Sequence, residues 1–245
     1  MKRLDKPSLS GSLALLAESE RLLLGFERSP PDLLLHTSGW KPDRVTDYCS
    51  LCGVGLRPLR FACKCADDLR RPWANVIRLG AYAEPLSTWV CMVKFERWNA
   101  MGELLGERLA DALATSFQTT CSGHSKPVLV PVPMPRIRRF SRGIDHTGVL
   151  VDVIGARNGW PFQRVLRQKP GRPQAVSTAS QRASRSNPFR GRGRPCSLKG
   201  RHVILVDDVL TTGRTARSAA RILRAQGAGR VTLGVLAVTE SQRRP

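Results

Sequence analysis

The sequence predicts an α/β fold built on a doubly wound parallel sheet. Residues 203–206 are four uninterrupted apolar residues, which is typical of a strand covered on both faces. A helical pattern begins near Ala216 and ends at Gly227, a residue suited to a helix C-terminus. A second apolar run, 231–238, follows the helix. This strand–helix–strand order predicts a βαβ unit with a right-handed crossover.

The residues between this strand and this helix predict an anion site. Asp207 and Asp208 end the apolar run, where the strand should emerge from the sheet. Loop amides and a helix N-terminus then point at one spot, an arrangement that binds anions. The two carboxylates beside it can bind sugar hydroxyls or Mg²⁺, so the pair of sites suits a ribose 5-phosphate. The loop is small and rich in hydroxyls, with Thr211, Thr212, Gly213 and Thr215.

The segment Val-Asp-Asp-Val-Leu-Thr-Thr-Gly-Arg-Thr at 206–215 resembles the phosphoribosyl pyrophosphate (PRPP) loop of type I phosphoribosyltransferases, most closely that of the ComF family. The resemblance implies the doubly wound parallel sheet of the type I phosphoribosyltransferases, with the ligand at the carboxyl ends of the strands. It implies that Asp207 and Asp208 hold the ribose hydroxyls. The alternative is a strand-end acid pair followed by an ordinary capped turn. The PRPP-binding residues implied are Val209, Leu210, Thr211, Thr212, Gly213, Arg214 and Thr215.

The remaining elements alternate as an α/β domain at 72–245 requires. Apolar runs predict the strands, and apolar residues at helical spacing predict the helices. Lys94 ends the first of these helices in a Lys-aromatic pair that ComF sequences also show, and it either reaches a pyrophosphate or is solvated. The predicted elements are a strand at 73–82, a helix from Pro85, a helix at 99–115, a strand at 127–133, a helix at 144–157 and a strand at 162–166.

The loop after strand 127–133 carries several arginines, which suit a pyrophosphate because a planar guanidinium binds phosphate oxygens in pairs. The ComF pattern of Pro-Val-Pro, then Arg, then Arg-Gly is matched at 131–133, Arg138 and Arg142. The resemblance implies that both arginines neutralise the leaving pyrophosphate. Asp145 and His146 replace the Asn-Gln of the family. The carboxylate would repel a pyrophosphate unless it pairs with an arginine or with Mg²⁺.

A stretch rich in Pro, Gly, Ser and Arg runs from Arg167 to Cys196 and predicts a mobile segment. The ComF family has a flexible catalytic lid here, and Arg167 and Gln174 match its pattern, whereas Gly171 replaces a threonine. The resemblance implies a lid that closes over the substrate and excludes water. The alternative is a basic loop that closes over nothing.

Four cysteines predict a small module at 47–70, after a poorly ordered or helical lead-in at 1–46. Cys49 and Cys52 precede a glycine in the manner of a zinc knuckle, and Cys63 and Cys65 follow closely. Four thiolates complete a tetrahedral structural Zn²⁺ site. ComF proteins commonly carry a four-cysteine, zinc-ribbon-like module in this position. Only one residue separates the second pair where two are usual, so reduced cysteines in a degenerate ribbon are the alternative.

The charge of the chain is strongly basic, with a net charge of +21. No acid lies between Asp152 and Asp207, whereas twelve Lys and Arg do. Such a field attracts polyanions, including pyrophosphate, nucleotides and nucleic acid. The alternative is that a GC-rich genome biases the composition toward arginine and that these arginines lie on a solvated face. The basic stretch at 157–201 offers three aromatics for base stacking: Trp160, Phe162 and Phe189.

Two main functions therefore compete. The first is an enzyme that transfers a phosphoribosyl group from PRPP-Mg²⁺ to an unspecified acceptor and releases pyrophosphate. The second is an accessory protein that binds single-stranded DNA through 157–201, as the competence origin of the ComF name suggests. A regulator that senses PRPP without turnover is a third. No apolar run reaches the length of a membrane span, and the cysteine usage favours a reducing, cytoplasmic location. The sequence does not indicate an oligomeric state.

Overall fold

The computed structural model describes residues 29–56, 63, 65, 71–96, 98–120, 125–134, 145–169, 188–192 and 198–240. These residues form the strands β1 (Asn75–Ala81), β2 (Val128–Pro131), β3 (Leu166–Gln168), β4 (Phe189–Gly191), β5 (His202–Leu210) and β6 (Arg230–Val238). The helices among them are α1 (Pro31–Ser38), α2 (Leu86–Phe95), α3 (Asn99–Thr120), α4 (His146–Asn158) and α5 (Arg214–Ala225). The division of the chain near residues 46 and 71 stays a prediction.

The main sheet is parallel throughout its described part, in the order β1-β6-β5-β2. Alternate residues of β5 enter two separate hydrophobic clusters, as the two-residue period of a strand requires. Ile204 and Val206 pack with α2, α3 and α4, whereas Val203 and Leu205 pack with α5. Helices therefore cover both faces of the sheet, and the predicted doubly wound α/β fold is confirmed.

Two predicted strand boundaries are wrong. β5 does not stop at Asp207 but continues to Leu210, because β6 runs beside it and Leu210 still pairs with Val238. The predicted strand at 162–166 is reduced to one parallel bridge between Phe162 and Leu129. The chain then leaves the main sheet, since Val165 and Leu166 are buried in the cluster on the α5 face, where β3 pairs antiparallel with β4.

The helices after residue 72 follow the predicted positions with small shifts, whereas α1 lies in the segment predicted only as a poorly ordered or helical lead-in. α3 extends to Thr120, beyond the predicted end at residue 115, and α4 begins at His146. Gly227 has a φ of +93° directly after the end of α5, as expected of a glycine at a helix C-terminus. Within the described residues, no helix combines the length and the apolarity that a membrane crossing needs.

The outer edge of β1 is covered by the segment that carries Cys49 and Cys52. The amide of Val76 donates to the Ser50 carbonyl, and the amide of Asp43 donates to the Leu79 carbonyl, both over 2.7 Å. These bonds satisfy edge groups of β1 that would otherwise be open to pairing with another chain. The cysteine segment is therefore fixed on the sheet.

Arg78 is the buried charge that joins this segment to the end of β6. Its side chain is 3% exposed and lies 2.6 Å from a carboxylate oxygen of Asp43 and 3.1 Å from one of Glu240. Its guanidinium also lies 5.0 Å from the centre of the Tyr48 ring. Removing one partner of a buried ion pair is costly, because the other charge stays without compensation.

We expect Arg78→Ala to lower the free energy of unfolding by about 3 kcal/mol, measured by urea denaturation. Arg157→Ala is the matched control, since Arg157 makes an exposed ion pair with Asp111. Exposed pairs contribute little to stability, so we expect no resolvable change for this variant. Equal midpoints for the two variants would contradict the structural role of Arg78.

Candidate functional site

The acid pair lies within the paired part of β5, not in a loop. Asp207 pairs in register with Val235 of β6, and both acids are half-buried. A carboxylate oxygen of Asp208 lies 3.1 Å from Nζ of Lys94, the penultimate residue of α2. The Asp208 amide donates to Oδ1 of Asp207 over 3.0 Å. The sheet and α2 together therefore hold the two carboxyl groups in fixed positions.

The electrostatics of the two acids are different. Burial and the neighbouring Asp208 carboxylate raise the pKa of Asp207, and the Asp208 amide and Lys94 offset this only in part. Asp208 instead has a cationic partner, and its ion pair is largely withdrawn from water, with the side chains of Lys94 and Asp208 14% and 19% exposed. Near neutral pH, Asp207 holds a proton more readily than an ordinary aspartate. A carboxylate beside a carboxyl that can be protonated offers both an acceptor and a donor to a diol.

The loop after β5 is three residues long and leads directly into a helix N-terminus. Thr211 and Thr212 are exposed, and Gly213 has a φ of +71°, which a residue with a Cβ adopts only with strain. The first turn of α5 contains no acidic residue and has no side-chain cap. The amides at the start of a helix have no partner inside the helix, so this turn presents donors to an anion.

The loop predicted to hold the pyrophosphate begins beside the acid pair. The amide of Val132 donates to the carbonyl of Val206, the residue before Asp207, over 2.9 Å. The carbonyl of Val132 accepts from the Thr147 hydroxyl at the start of α4. Both ends of this loop are therefore anchored next to the acids. The predicted residues Arg138 and Arg142 lie outside the described residues, as does Gln174 of the predicted lid.

Asp145 pairs with an arginine, the outcome that leaves it compatible with a nearby pyrophosphate. Its carboxylate lies 3.0 Å from Nη1 of Arg164 and caps α4 by accepting from the amide of Gly148. Burial would raise the pKa of Asp145, but the hydrogen bonds from Arg164, Thr147 and Gly148 outweigh it and lower the pKa. The adjacent His146 is buried, so its ring is part of the helix packing.

Arg167 is on β3 and is exposed. It lies opposite Arg190 of β4, which is exposed as well. Two arginines facing each other across an antiparallel pair repel unless an anion or water separates them. The first residue of the predicted lid is therefore held on the short ribbon that packs against α5.

The four predicted cysteine ligands come together. The sulfurs of Cys49, Cys52, Cys63 and Cys65 all lie within 4.8 Å of one another, and all four cysteines are free. Burial would raise the pKa of the Cys49 thiol, but hydrogen bonds from Cys63, Cys65 and the Cys52 amide lower it to about 7. Burial raises the pKa of Cys52 to about 11. A tetrahedral ion with bonds of about 2.3 Å to sulfur needs this spacing, so the four thiols fit one metal ion.

Two residues make contacts at the site that the sequence pattern did not predict. Lys94 is an ion-pair partner of Asp208 and not a solvated lysine. Trp73 has its ring beside the loop at 211–213, because a Cβ added at Gly213 would lie 3.7 Å from the indole, and the Arg217 guanidinium is 5.6 Å from the ring centre. The Lys-aromatic pair resembling ComF sequences pointed to Lys94, whereas no local pattern pointed to Trp73.

Comparisons with known proteins identify sequences and structures that are similar to this chain. The family model of the phosphoribosyl transferase domain matches residues 99–245. The DNA utilization protein YhgH of Escherichia coli K12 is 27% identical over 195 residues, which cover 78% of this chain and 84% of the relative. Competence protein ComFC of Bacillus subtilis is 26% identical over 211 residues, which cover 82% of each protein. A solved hypoxanthine-guanine phosphoribosyl transferase of L. donovani aligns with a TM-score of 0.38 and 14% identity over 56% of this chain and 67% of that one.

Proposed function

Since the chain belongs to the phosphoribosyl transferase domain family, in its ComF-type branch, we propose that it binds PRPP with Mg²⁺ at the β5–α5 site. The observation that carries the proposal is the placement of Asp207 and Asp208 near the end of a paired strand, which a loop of three residues joins to a helix N-terminus. A diol site followed closely by an anion site suits the two ends of a phosphorylated ribose. The 5-phosphate is bound by the loop that contains Thr211, Thr212, Gly213, Arg214 and Thr215, with Val209 and Leu210 before it.

The two acids bind the ribose hydroxyls, and Lys94 orients Asp208. Because Lys94 lies at the end of α2 and Asp208 on β5, their ion pair fixes the carboxylate from outside the loop. Carboxylate oxygens are also the ligands that Mg²⁺ prefers, so Asp207 and Asp208 are the residues that would hold it beside the ribose. Mg²⁺ supplies positive charge that offsets the charge of the pyrophosphate.

The proposed reaction breaks the bond between the ribose C1 and the pyrophosphate oxygen, and forms a bond from C1 to a nucleophilic acceptor. Positive charge develops on the ribose, and negative charge develops on the leaving group. Arg138 and Arg142 neutralise the pyrophosphate, and Arg167 and Gln174 belong to a lid that excludes water. Positioning and charge stabilisation therefore supply the catalysis, with no covalent intermediate on the protein.

The cysteine cluster in this proposal holds Zn²⁺ in a structural site. The support is that the sulfurs of four free cysteines lie within 4.8 Å of one another. Four protein ligands fill a tetrahedral site, so the ion stabilises the fold of the segment and leaves no position for a substrate.

We expect Asp207→Asn/Asp208→Asn to weaken PRPP-Mg²⁺ binding at least about hundredfold, because hydrogen bonds to charged groups contribute about 1.5–3 kcal/mol each. The measurement is calorimetric titration of the full chain, with plain pyrophosphate and a nucleoside monophosphate as generic anions. Asp152→Asn, an exposed acid on α4, is the matched control. Equal PRPP affinity in the double variant, or no saturable binding by the wild-type protein, contradicts the proposal.

A second candidate function is the binding of single-stranded DNA, and the surface of α5 favours it. Arg214, Arg217, Arg221 and Arg224 follow at spacings of three and four residues, so they share one face of the helix. The ribbon that packs against α5 adds Arg190 and Arg192, both exposed. No acid occurs in 188–192 or 214–225, so this face offers a row of cations to a phosphate backbone. The relatives named for DNA utilization and competence point the same way.

If this face contacts DNA, Arg190→Gln/Arg221→Gln will reduce the slope of log affinity against log salt by about 1.4, because each phosphate contact to a single strand contributes about 0.7. Fluorescence anisotropy with a labelled oligothymidine measures the slope. Arg44→Gln/Arg157→Gln removes the same charge from exposed sites elsewhere. An equal loss of slope in both double variants would mean that only the net charge matters, which rejects a specific DNA face.

A further inference from the structure

We propose that Trp73 is a positioning residue that couples the cysteine cluster to the phosphate loop, so that a metal ion in the cluster raises the affinity of the loop for a phosphate. This inference rests on the proposed function of the β5–α5 site. Trp73 is largely buried, with 8% of its surface exposed. Its indole donates a hydrogen bond to the cysteine turn on one side, and on the other side it contacts Arg217 of α5 and lies beside Gly213.

On the cysteine side, the contact is a hydrogen bond to the turn between two ligands. Nε1 of Trp73 donates to the carbonyl of Leu51 over 2.9 Å, and Leu51 lies between Cys49 and Cys52. The preceding carbonyl, that of Ser50, accepts from the amide of Val76. An ion held by both cysteines fixes the turn between them and therefore the position of the Leu51 carbonyl.

On the other side, the contact is with Arg217 in the first turn of α5, and Gly213 of the loop lies next to the indole. A Cβ on Gly213 would lie 3.7 Å from the indole, an ordinary van der Waals distance. The guanidinium of Arg217, one helical turn beyond Gly213, lies over the ring at 5.6 Å from its centre. Gly213 has a left-handed backbone conformation, so its position determines where the amides of the following turn point.

The cysteine turn has little room to absorb a displacement. Gly53, directly after Cys52, has a φ of +75°, and a Cβ there would lie 2.8 Å from Val238 and 3.0 Å from Val76. The glycine is therefore in close contact with the sheet. In close-packed structure a shift of one group moves its neighbours, so a movement of the turn reaches Trp73 and, through it, Gly213.

Trp73 touches neither the proposed metal ion nor the phosphate, so it acts only through these neighbours. With the ion bound, the Leu51 carbonyl holds the indole, and the indole holds Gly213 and Arg217. Without the ion, the turn relaxes, the hydrogen bond weakens, and the loop loses its fixed support. Ordering the loop then costs more free energy when it binds a phosphate, which lowers its affinity.

The test measures the affinity of the full chain for ribose 5-phosphate by calorimetry, with zinc loaded and with zinc removed. In the wild-type protein, zinc removal should weaken binding about tenfold, as expected when a loop loses its ordering contacts. Trp73→Phe keeps the aromatic ring but not the indole donor. This variant should bind about tenfold more weakly with zinc present and should lose nothing further when zinc is removed.

Trp160→Phe is the matched control, since Trp160 is equally buried but lies in the other hydrophobic cluster. It should retain the affinity and the zinc response of the wild-type protein. Wild-type binding of ribose 5-phosphate that is independent of zinc overturns the coupling and leaves the proposed function intact. Absence of ribose 5-phosphate binding in every protein contradicts the proposed function instead.

If none of the proteins binds ribose 5-phosphate, a measurement without ligand still tests the coupling between the cysteine cluster and the loop. Amide hydrogen exchange at 211–217 should slow when zinc is added to the wild-type protein and should not change in Trp73→Phe. Exchange in α4 serves as the internal control for global unfolding, because α4 packs against α3 on the other face of the sheet. Equal slowing in α4 and at 211–217, or none at 211–217, overturns the proposal.

Discussion

The pairing of β5 with β6 continues past the two acids, and the candidate site depends on this continuation. Asp207 pairs with Val235, and the ladder runs on to Leu210 and Val238. Strand pairing removes the backbone freedom that a loop would retain, so the carboxyl groups need no ordering when a ligand arrives. The chain becomes irregular only at residue 211, where amides must be free to meet an anion. In the proposed site, a rigid half that would bind a diol is thus joined to a short turn that would bind an anion.

The charges of the site follow the same division between the acids on β5 and the turn after it. The chain carries a net charge of +21, yet the two acids of β5 are retained beside a basic turn, and Lys94 lies against one of them. Burial of Asp207 and, after it, the neighbouring Asp208 carboxylate raise the pKa of Asp207, because both disfavour its charged form. Lys94 reduces the repulsion without entering the loop. Asp145, the acid nearest the predicted pyrophosphate loop in sequence, is likewise neutralised by Arg164.

The sequence predicted the parts of the fold and site that depend on local pattern. The apolar run at 203–206, the loop after it and the helix that follows are contiguous, so their order was readable. The end of β5 could not be predicted from the sequence, because a strand ends where its hydrogen bonds end and not where its apolar residues end. The run at 162–166 failed for a similar reason, since it pairs with β2 only at its start, at Phe162, whereas Val165 and Leu166 pack on the α5 face. Lys94, Trp73 and Arg78 act through partners distant in sequence, which no local pattern reveals.

The most direct measurement is a crystal structure of the full chain grown with PRPP and Mg²⁺. We expect density for the 5-phosphate against the amides of 211–215 and density for the ribose hydroxyls within hydrogen-bond distance of Asp207 and Asp208. We also expect Lys94 to keep its contact with Asp208. A phosphate bound only along the arginine face of α5, with the two acids untouched, would contradict the central claim that β5 and its loop form a phosphoribosyl site.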